Sequence, residues 1–228
     1  MVRVLSERTV ILTYHDMVRV RDKSALWFDC TPLELQNQLD WLSSQGAHFI
    51  SMQQLYRHLT AGSKLPPKPV MITFADNYLG FYYLALPILR GRNVPATMFV
   101  HTDFVGAKVG RPKMSWKQLL ELDREGLVTI ASQTRSHPAD LRRLSDRQLA
   151  LEIAGSKEAL EQRLGHPVPF IAYPNGKFDL RVAQFARRAG YLMAFTEEQT
   201  PAEVSPSIFE VARYVHTKYR EAWKDAGN

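Results

Sequence analysis

Short apolar runs alternate along this chain with longer stretches in which apolar residues return every three or four positions. The runs read as strands buried on both faces, and the stretches as amphipathic helices laid against them. The strand candidates are Val10–Tyr14, His48–Ile50, Val70–Phe74, Thr97–His101, Leu127–Ala131, Phe170–Tyr173, Met193–Thr196 and Glu210–Val215. Such alternation predicts an α/β fold with a mostly parallel sheet. From Pro32 to about Ser44, Leu35, Leu39 and Leu42 share one face; from Ser145 to Leu164, Leu149, Ile153, Leu160 and Leu164 do the same. Both are core-facing helical patterns.

Helix starts carry their own signals. Thr31-Pro32-Leu33-Glu34 is a capping box with proline at the first helical position, and Ser51–Gln54, Ser115–Gln118 and Ser145–Gln148 repeat the pattern. In each, two side chains satisfy two orphan backbone N–H groups. Gly46, Gly126, Gly165 and Gly190 stand where helices should stop, as left-handed caps. Four polar or Pro/Gly-rich linkers remain: Met17–Asp29, Gly62–Pro69, Asp103–Lys113 and Glu197–Ser207. In a β/α barrel the loops after the strands build the active site, so two long ones predict a substrate groove.

Composition narrows the class. The 228 residues, 45% of them apolar, suffice for one large core, so one domain spanning 1–228 is expected. The net charge of +6 suits an anionic partner, but the arginines are scattered in pairs and no recognition motif accompanies them. A nucleic-acid partner is therefore not expected. Cys30 is the only cysteine, which excludes an internal disulfide and a cysteine-rich zinc site. No apolar run reaches the length of a membrane span, and Met1-Val2-Arg3-Val4 does not read as a leader, which leaves the cytoplasm open.

The candidate chemistry sits at strand ends. Asp76 follows Thr73-Phe74, a place for a functional acid but equally for a helix cap. His15 ends the first strand within Tyr14-His15-Asp16, either as a core histidine or as a proton donor and acceptor; Asp16 orients its ring or caps the next turn. His137, before Pro138, reads by itself as an ordinary loop histidine, and Pro174-Asn175-Gly176 as a turn leading to a helix capped by Asp179. His101 at another strand end lines the groove without being a ligand.

The order and spacing of these motifs, from about residue 8 to residue 216, resemble the polysaccharide deacetylases, carbohydrate esterase family four. The segments are Ile72-Thr73-Phe74-Ala75-Asp76-Asn77-Tyr78, Val94-Pro95-Ala96-Thr97-Met98-Phe99-Val100, Ile130–Pro138 and Phe170–Asp179. With Leu12-Thr13-Tyr14-His15-Asp16 they are most similar to the poly-β-1,6-N-acetylglucosamine deacetylase branch. The resemblance implies a distorted (β/α) barrel of about seven parallel strands. It implies a hydrolase that removes acetyl groups from N-acetylglucosamine polymers at the cell envelope or outside the cell. It implies one divalent metal (zinc, cobalt or nickel) on Asp76, His137 and position 133. His15 would be the acid, the Asn175 N–H the oxyanion donor, and Arg213 the orienter of a carboxylate.

The family pattern has Asp, Gly and His where this chain has Ala75, Asn77 and Gln133. Ala75 cannot act as a base, and an amide oxygen is a poor zinc ligand. Two expectations follow: a metal-dependent deacetylase weakened by Ala75 and Gln133, or a non-catalytic carbohydrate-binding pseudoenzyme. In either, Tyr78, Tyr82, Trp116 and Tyr173 are the candidate groove aromatics for an N-acetylated polysaccharide or oligosaccharide.

Overall fold

The computed structural model describes residues 8–228. Met1–Val4, the segment read for a leader, lies outside the described residues. The strands are β1 (Val10–Tyr14), β2 (His48–Phe49), β3 (Pro69–Phe74), β4 (Ala96–Val100), β5 (Val128–Ser132), β6 (Phe170–Ala172), β7 (Met193–Phe195) and β8 (Tyr214–Val215). The helices are α1 (Pro32–Ser44), α2 (Met52–Ala61), α3 (Leu86–Arg92), α4 (Trp116–Glu125), α5 (Asp146–Leu164), α6 (Leu180–Arg188) and α7 (Tyr219–Asp225). They form a single α/β domain around one curled parallel sheet, ordered β7-β6-β5-β4-β3-β1-β8, with β2 beside β3.

The helices form where the capping boxes start them. All four boxes close with both reciprocal bonds, each cap contributing about 1 kcal/mol. On α1, Leu35, Leu39 and Leu42 are fully buried, which stabilises by roughly 1.5–3 kcal/mol per side chain.

Strand alternation divides the core in two. Val10, Leu12, Ile72, Phe74 and Met98 face the helices; Ile11, Met71, Phe99, Ala131 and Phe195 fill the barrel interior. Side chains two apart share a face. The interior columns therefore run Ile11-Thr13-His15, Met71-Thr73-Ala75, Phe99-His101, Ala131-Gln133 and Phe195-Glu197, and all but the one ending in Ala75 pass from apolar at the base to polar at the C-terminal mouth.

The barrel is distorted at two places. β5 and β6 meet at a single register pair, Ser132 with Ile171. The expected last strand Glu210–Val215 shrinks to Tyr214–Val215, because this segment changes partners. It pairs first with β7, through Ala194 N–H to Ile208 O (3.0 Å) and Val211 N–H to Ala194 O (2.9 Å), then with β1 at Leu12–Tyr214. That crossing closes the ring. The segment after β3 also differs from expectation. Asp76 caps no helix: it stands at φ 67°, and a π-turn at Phe81–Ala85 precedes α3. Pro87, in the first turn of α3, has no N–H to give and marks the join.

Candidate functional site

A cleft of about 530 Å³ opens at the C-terminal mouth of the barrel. Successive strand ends contribute to it: Thr13 and His15 after β1, Asp76 after β3, His101 after β4, Gln133 and His137 after β5, Asn175 after β6, Glu197 after β7, and Arg213 beside β8. Every residue the sequence singles out for catalysis or metal binding (His15, Asp76, Asn175, Arg213, Gln133 and His137) therefore lines one cavity. Trp27, Phe28, Tyr78 and Phe104 form its aromatic walls. Of the expected groove aromatics only Tyr78 is among them. Tyr173 is fully buried and stacked on Phe178 at 5.1 Å. Tyr82 donates its hydroxyl proton to Glu121, and Trp116 lies beneath the Arg163 guanidinium.

The local backbone is strained at this mouth. Asp76, Asn77, Thr134, His137 and Asn175 all have positive φ. For non-glycine residues this costs on the order of 1–3 kcal/mol each and persists where the surroundings over-determine it. For Asp76 those surroundings are visible. Its N–H donates to Gln133 Oε1 at 2.8 Å, and its carbonyl accepts from His101 Nε2 and from Lys113 Nζ, both at 2.9 Å. His137 is placed by a nest built on α5. There the Glu152 carboxylate accepts from Arg135 N–H (3.0 Å), Ser136 N–H (2.9 Å) and the Ser136 hydroxyl (2.6 Å). Sequence reasoning missed Glu152 because it reads as one more polar position on a helix.

The long loops are also pinned. Arg111 bridges Asp16 (2.9 Å) and the buried Asp29 (2.8 Å), tying Met17–Asp29 to Asp103–Lys113. Asp16 thus faces Arg111, and neither orients His15 nor caps a turn with its side chain. The loop so held presents Trp27, 67% exposed, at the edge of the cleft.

Electrostatics sort the groups. Burial pushes Asp76 upward, but His15, His137, His101 and Lys113 together outweigh it and hold the carboxyl below its ordinary range. Burial pushes His15 down, against the pull of Asp76, so its imidazole is neutral at neutral pH. Burial, then the Lys113 charge, takes His101 down to about 4. Lys113, whose Nζ lies 3.3 Å from the Tyr78 ring centroid, is itself brought down to about 8 by burial.

Whether these groups suit a divalent cation can be tested on their free atoms. Asp76 Oδ1 is buried without a hydrogen-bond partner and lies 3.5 Å from His137 Nε2. A carboxylate oxygen and an imidazole nitrogen converging so closely fit such an ion. Gln133 does not complete the set, since its carbonyl oxygen already accepts from the Asp76 N–H. Among the described residues no cluster of three His, Cys, Asp or Glu side chains gathers around one point. The donor set is two side chains, one short of the three that hold a catalytic zinc.

Asn175 occupies a left-handed position (φ 54°) in the Pro174–Gly176 turn. Gly176 and Lys177 N–H groups close that turn on the Tyr173 and Pro174 carbonyls, and Asp179 caps α6 through Val182 N–H at 2.9 Å. The expected turn and cap both form. They hold Asn175 over the cleft with its side-chain amide donating to Ala139 O at 3.2 Å.

Comparison with known proteins gives these residues a context. A family profile described as polysaccharide deacetylase matches residues 62–194. The Bacillus subtilis protein YxkH is 27% identical over 181 residues, covering 79% of this chain and 63% of that protein. The Staphylococcus aureus poly-β-1,6-N-acetyl-D-glucosamine N-deacetylase is 24% identical over 189 residues, covering 79% of this chain and 65% of its own length. The chain thus spans just under two thirds of these curated relatives. Among solved structures, IcaB from Ammonifex degensii superposes with a TM-score of 0.85 at 26% identity, over 97% of this chain and 98% of that one. The deacetylase PplD of Streptococcus pyogenes gives 0.84 at 25% identity, over 95% and 98%.

Proposed function

The chain belongs to the polysaccharide deacetylase family, and from that premise we propose that its cleft hydrolyses the acetamide groups of N-acetylglucosamine-containing polymers. The observation that carries this reading is the convergence of His15, Asp76, His137 and Asn175 in one aromatic-walled cavity. An ionised carboxylate there can hold a cation, while a neutral imidazole beside it can take up a proton and give it back. The names of the relatives support the substrate class, and such a polymer puts the working site at the cell envelope or outside the cell.

Asp76 and His137 would hold a zinc, cobalt or nickel ion, which when bound polarises the acetamide carbonyl and acidifies water. The chain's own residues do the rest. Water adds to the acetamide carbon while His15, neutral at rest, accepts its proton. The Asn175 N–H donates to the developing oxyanion. The C–N bond breaks, His15 returns the proton to the leaving nitrogen, and acetate and a free amine result.

A second reading has its own observation. Ala75 brings only a methyl group to the interior column above Thr73, and Gln133 spends its oxygen on the Asp76 backbone. A cleft so altered can still hold sugar rings against Trp27, Phe28 and Tyr78 without cleaving them.

One experiment separates the two. Chelator-stripped protein is titrated with zinc, cobalt and nickel by calorimetry, then incubated with β-1,6-linked N-acetylglucosamine polymer and with chitooligosaccharides, and acetate and new primary amine are counted. Metal-stimulated release, lost in Asp76→Ala, is the expected result. Saturable oligosaccharide binding without release, at any metal level, would replace the hydrolytic reading with the binding one.

A further inference from the structure

Beneath the catalytic candidates lies a group that the hydrolytic chemistry leaves unused. Arg213 is 1% exposed, yet it lines the floor of the cleft. Its guanidinium carbon lies 4.8 Å from the Phe99 ring centroid and 5.9 Å from that of Phe195. Nε donates to Thr196 O at 3.0 Å, and Nη1 donates to Thr13 Oγ1 at 2.9 Å. The Thr73 hydroxyl donates to Leu12 O at 3.0 Å, so the 2.6 Å contact between Thr13 and Thr73 has Thr13 as donor. Both hydroxyl protons in that chain are committed, and it fixes how the guanidinium lies. Nη2 is the one nitrogen of the group that makes no hydrogen bond, and it is buried.

No carboxylate forms an ion pair with Arg213 among the described residues. Glu197 and Asp76 favour its charge only from a distance. Burial takes Arg213 down to about 10, which still leaves it charged at neutral pH. A buried charge without a partner costs several kcal/mol, so the protein holds a donor in waiting. The interior columns show where an acceptor is missing. The next inward positions above Thr13 and Thr73 are His15 and Ala75, and Ala75 ends in a methyl group. A planar anion is the natural complement of a fixed guanidinium edge.

We propose that the floor of the cleft is a carboxylate-binding site anchored by Arg213. Its ligand is a one- or two-carbon carboxylate free in solution, or the carboxylate of an acidic amino sugar. The site stands on the geometry of Arg213. Acetate is also the product of the hydrolysis proposed above, so dependence on Arg213, rather than acetate binding alone, separates this site from that reading.

The test uses the full chain. Formate and acetate are titrated at constant ionic strength against chloride, by calorimetry and by thermal unfolding, where a ligand of the folded state raises Tm in saturable fashion. Saturable binding is expected, weakened about tenfold or more in Arg213→Gln through loss of a charge-assisted bond. Ala75→Asp supplies the carboxylate from within the chain, and should abolish the response to formate and acetate. This second variant keeps the proposal open to refutation if Arg213→Gln does not fold. N-acetylmuramic acid set against N-acetylglucosamine distinguishes the sources. Tighter binding of the acidic sugar assigns the carboxylate to a substrate, and parity between the two sugars with acetate still binding assigns it to the free ion. The proposal is overturned if none of the carboxylates binds above chloride, or if both variants respond as the parent does. Solvent would then be what satisfies Nη2.

Discussion

The two ends of the barrel carry concavities of nearly equal volume, about 530 Å³ at the C-terminal mouth and about 550 Å³ at the opposite end, where Gln53, Tyr56, Arg57, Val128, His166 and Phe170 form a groove. Size does not separate them; the state of their polar atoms does. In the cleft, His15 Nδ1, Asp76 Oδ1, His101 Nδ1 and Arg213 Nη2 are buried without partners, and Asp76, His137 and Asn175 are held at positive φ. No groove residue has a buried unpartnered side-chain atom, its histidine is paired with Asp123, and its one positive-φ residue is Gly126. Unsatisfied polar atoms and backbone strain are costs that folding alone removes wherever it can. Their concentration at one end marks where a ligand is expected to complete the structure.

The contrast is tested most severely by activity. His15→Gln removes the proton acceptor of the cleft and should lower acetate release about 10²–10⁴-fold. Arg57→Gln, in the groove, should leave it within about twofold. Equal losses from both would erase the distinction between the two ends. A loss from Arg57→Gln alone would move the site to the groove.

A glycine at each end gives the next test. Gly176 (φ +63°) closes the Asn175 turn, and a Cβ there would come within 2.7 Å of the Glu197 backbone nitrogen. Gly126 (φ +79°) borders the groove with nothing within 4 Å of the same atom. Alanine at either position carries the left-handed strain, roughly 1–2 kcal/mol. At 176 overpacking adds about 1–3 kcal/mol more. Denaturant unfolding should therefore find Gly176→Ala clearly the less stable, with its loss shared by oligosaccharide binding because Glu197 lines the cleft. Equal losses would mean that the mouth yields as easily as the base.

The same contrast shows how far the sequence could be read. Most strands, the capping boxes and the place of His15, Asp76 and Gln133 at or just past strand ends were legible because they follow from periods of two and of three to four residues and from local hydrogen bonds. The groove walls were not. Tyr82, Trp116 and Tyr173 have the right chemistry, but aromatic identity does not say which face of an element looks into the cavity, and packing took all three elsewhere. Trp27, Phe28 and Phe104 come from stretches without periodicity, and Trp27 and Phe28 belong to a loop held in place by Arg111, an ion pair across more than eighty residues of chain. Glu152 was equally hidden, because its role exists only once α5 lies beside the loop it holds. The resemblance to a family supplied roles for Asp76 and His137 that spacing alone left open between ligand, cap and loop.

The smallest effect is also the most direct contrast, because the two ends should respond to pH with opposite sign. In the cleft, burial and then Lys113 hold His101 at about 4, below the unfolded value of about 6.5. The unfolded chain then takes up this proton first as pH falls. Stability associated with His101 is complete above about 6.5 and is lost between there and about 4, on the order of 3 kcal/mol. His216, buried and stacked on Tyr14, is also taken down to about 4 by burial and adds a loss of the same sign. In the groove, the Pro167 carbonyl and the Asp123 carboxylate raise His166. Its contribution is complete below the unfolded pKa and disappears as pH rises through the folded one. It is small, because the ring is half exposed and screened by solvent. Unfolding midpoints measured from pH 4 to 8 should fall on the acid side for the parent, fall less for His101→Asn, and fall more steeply for His166→Asn. NMR titration reads the cause directly: the His101 ring should titrate near 4 and the His166 ring above 6.5. A His101 titrating at its ordinary value would show the cleft to be as well solvated as the groove, and the contrast between the two ends would lose its electrostatic part.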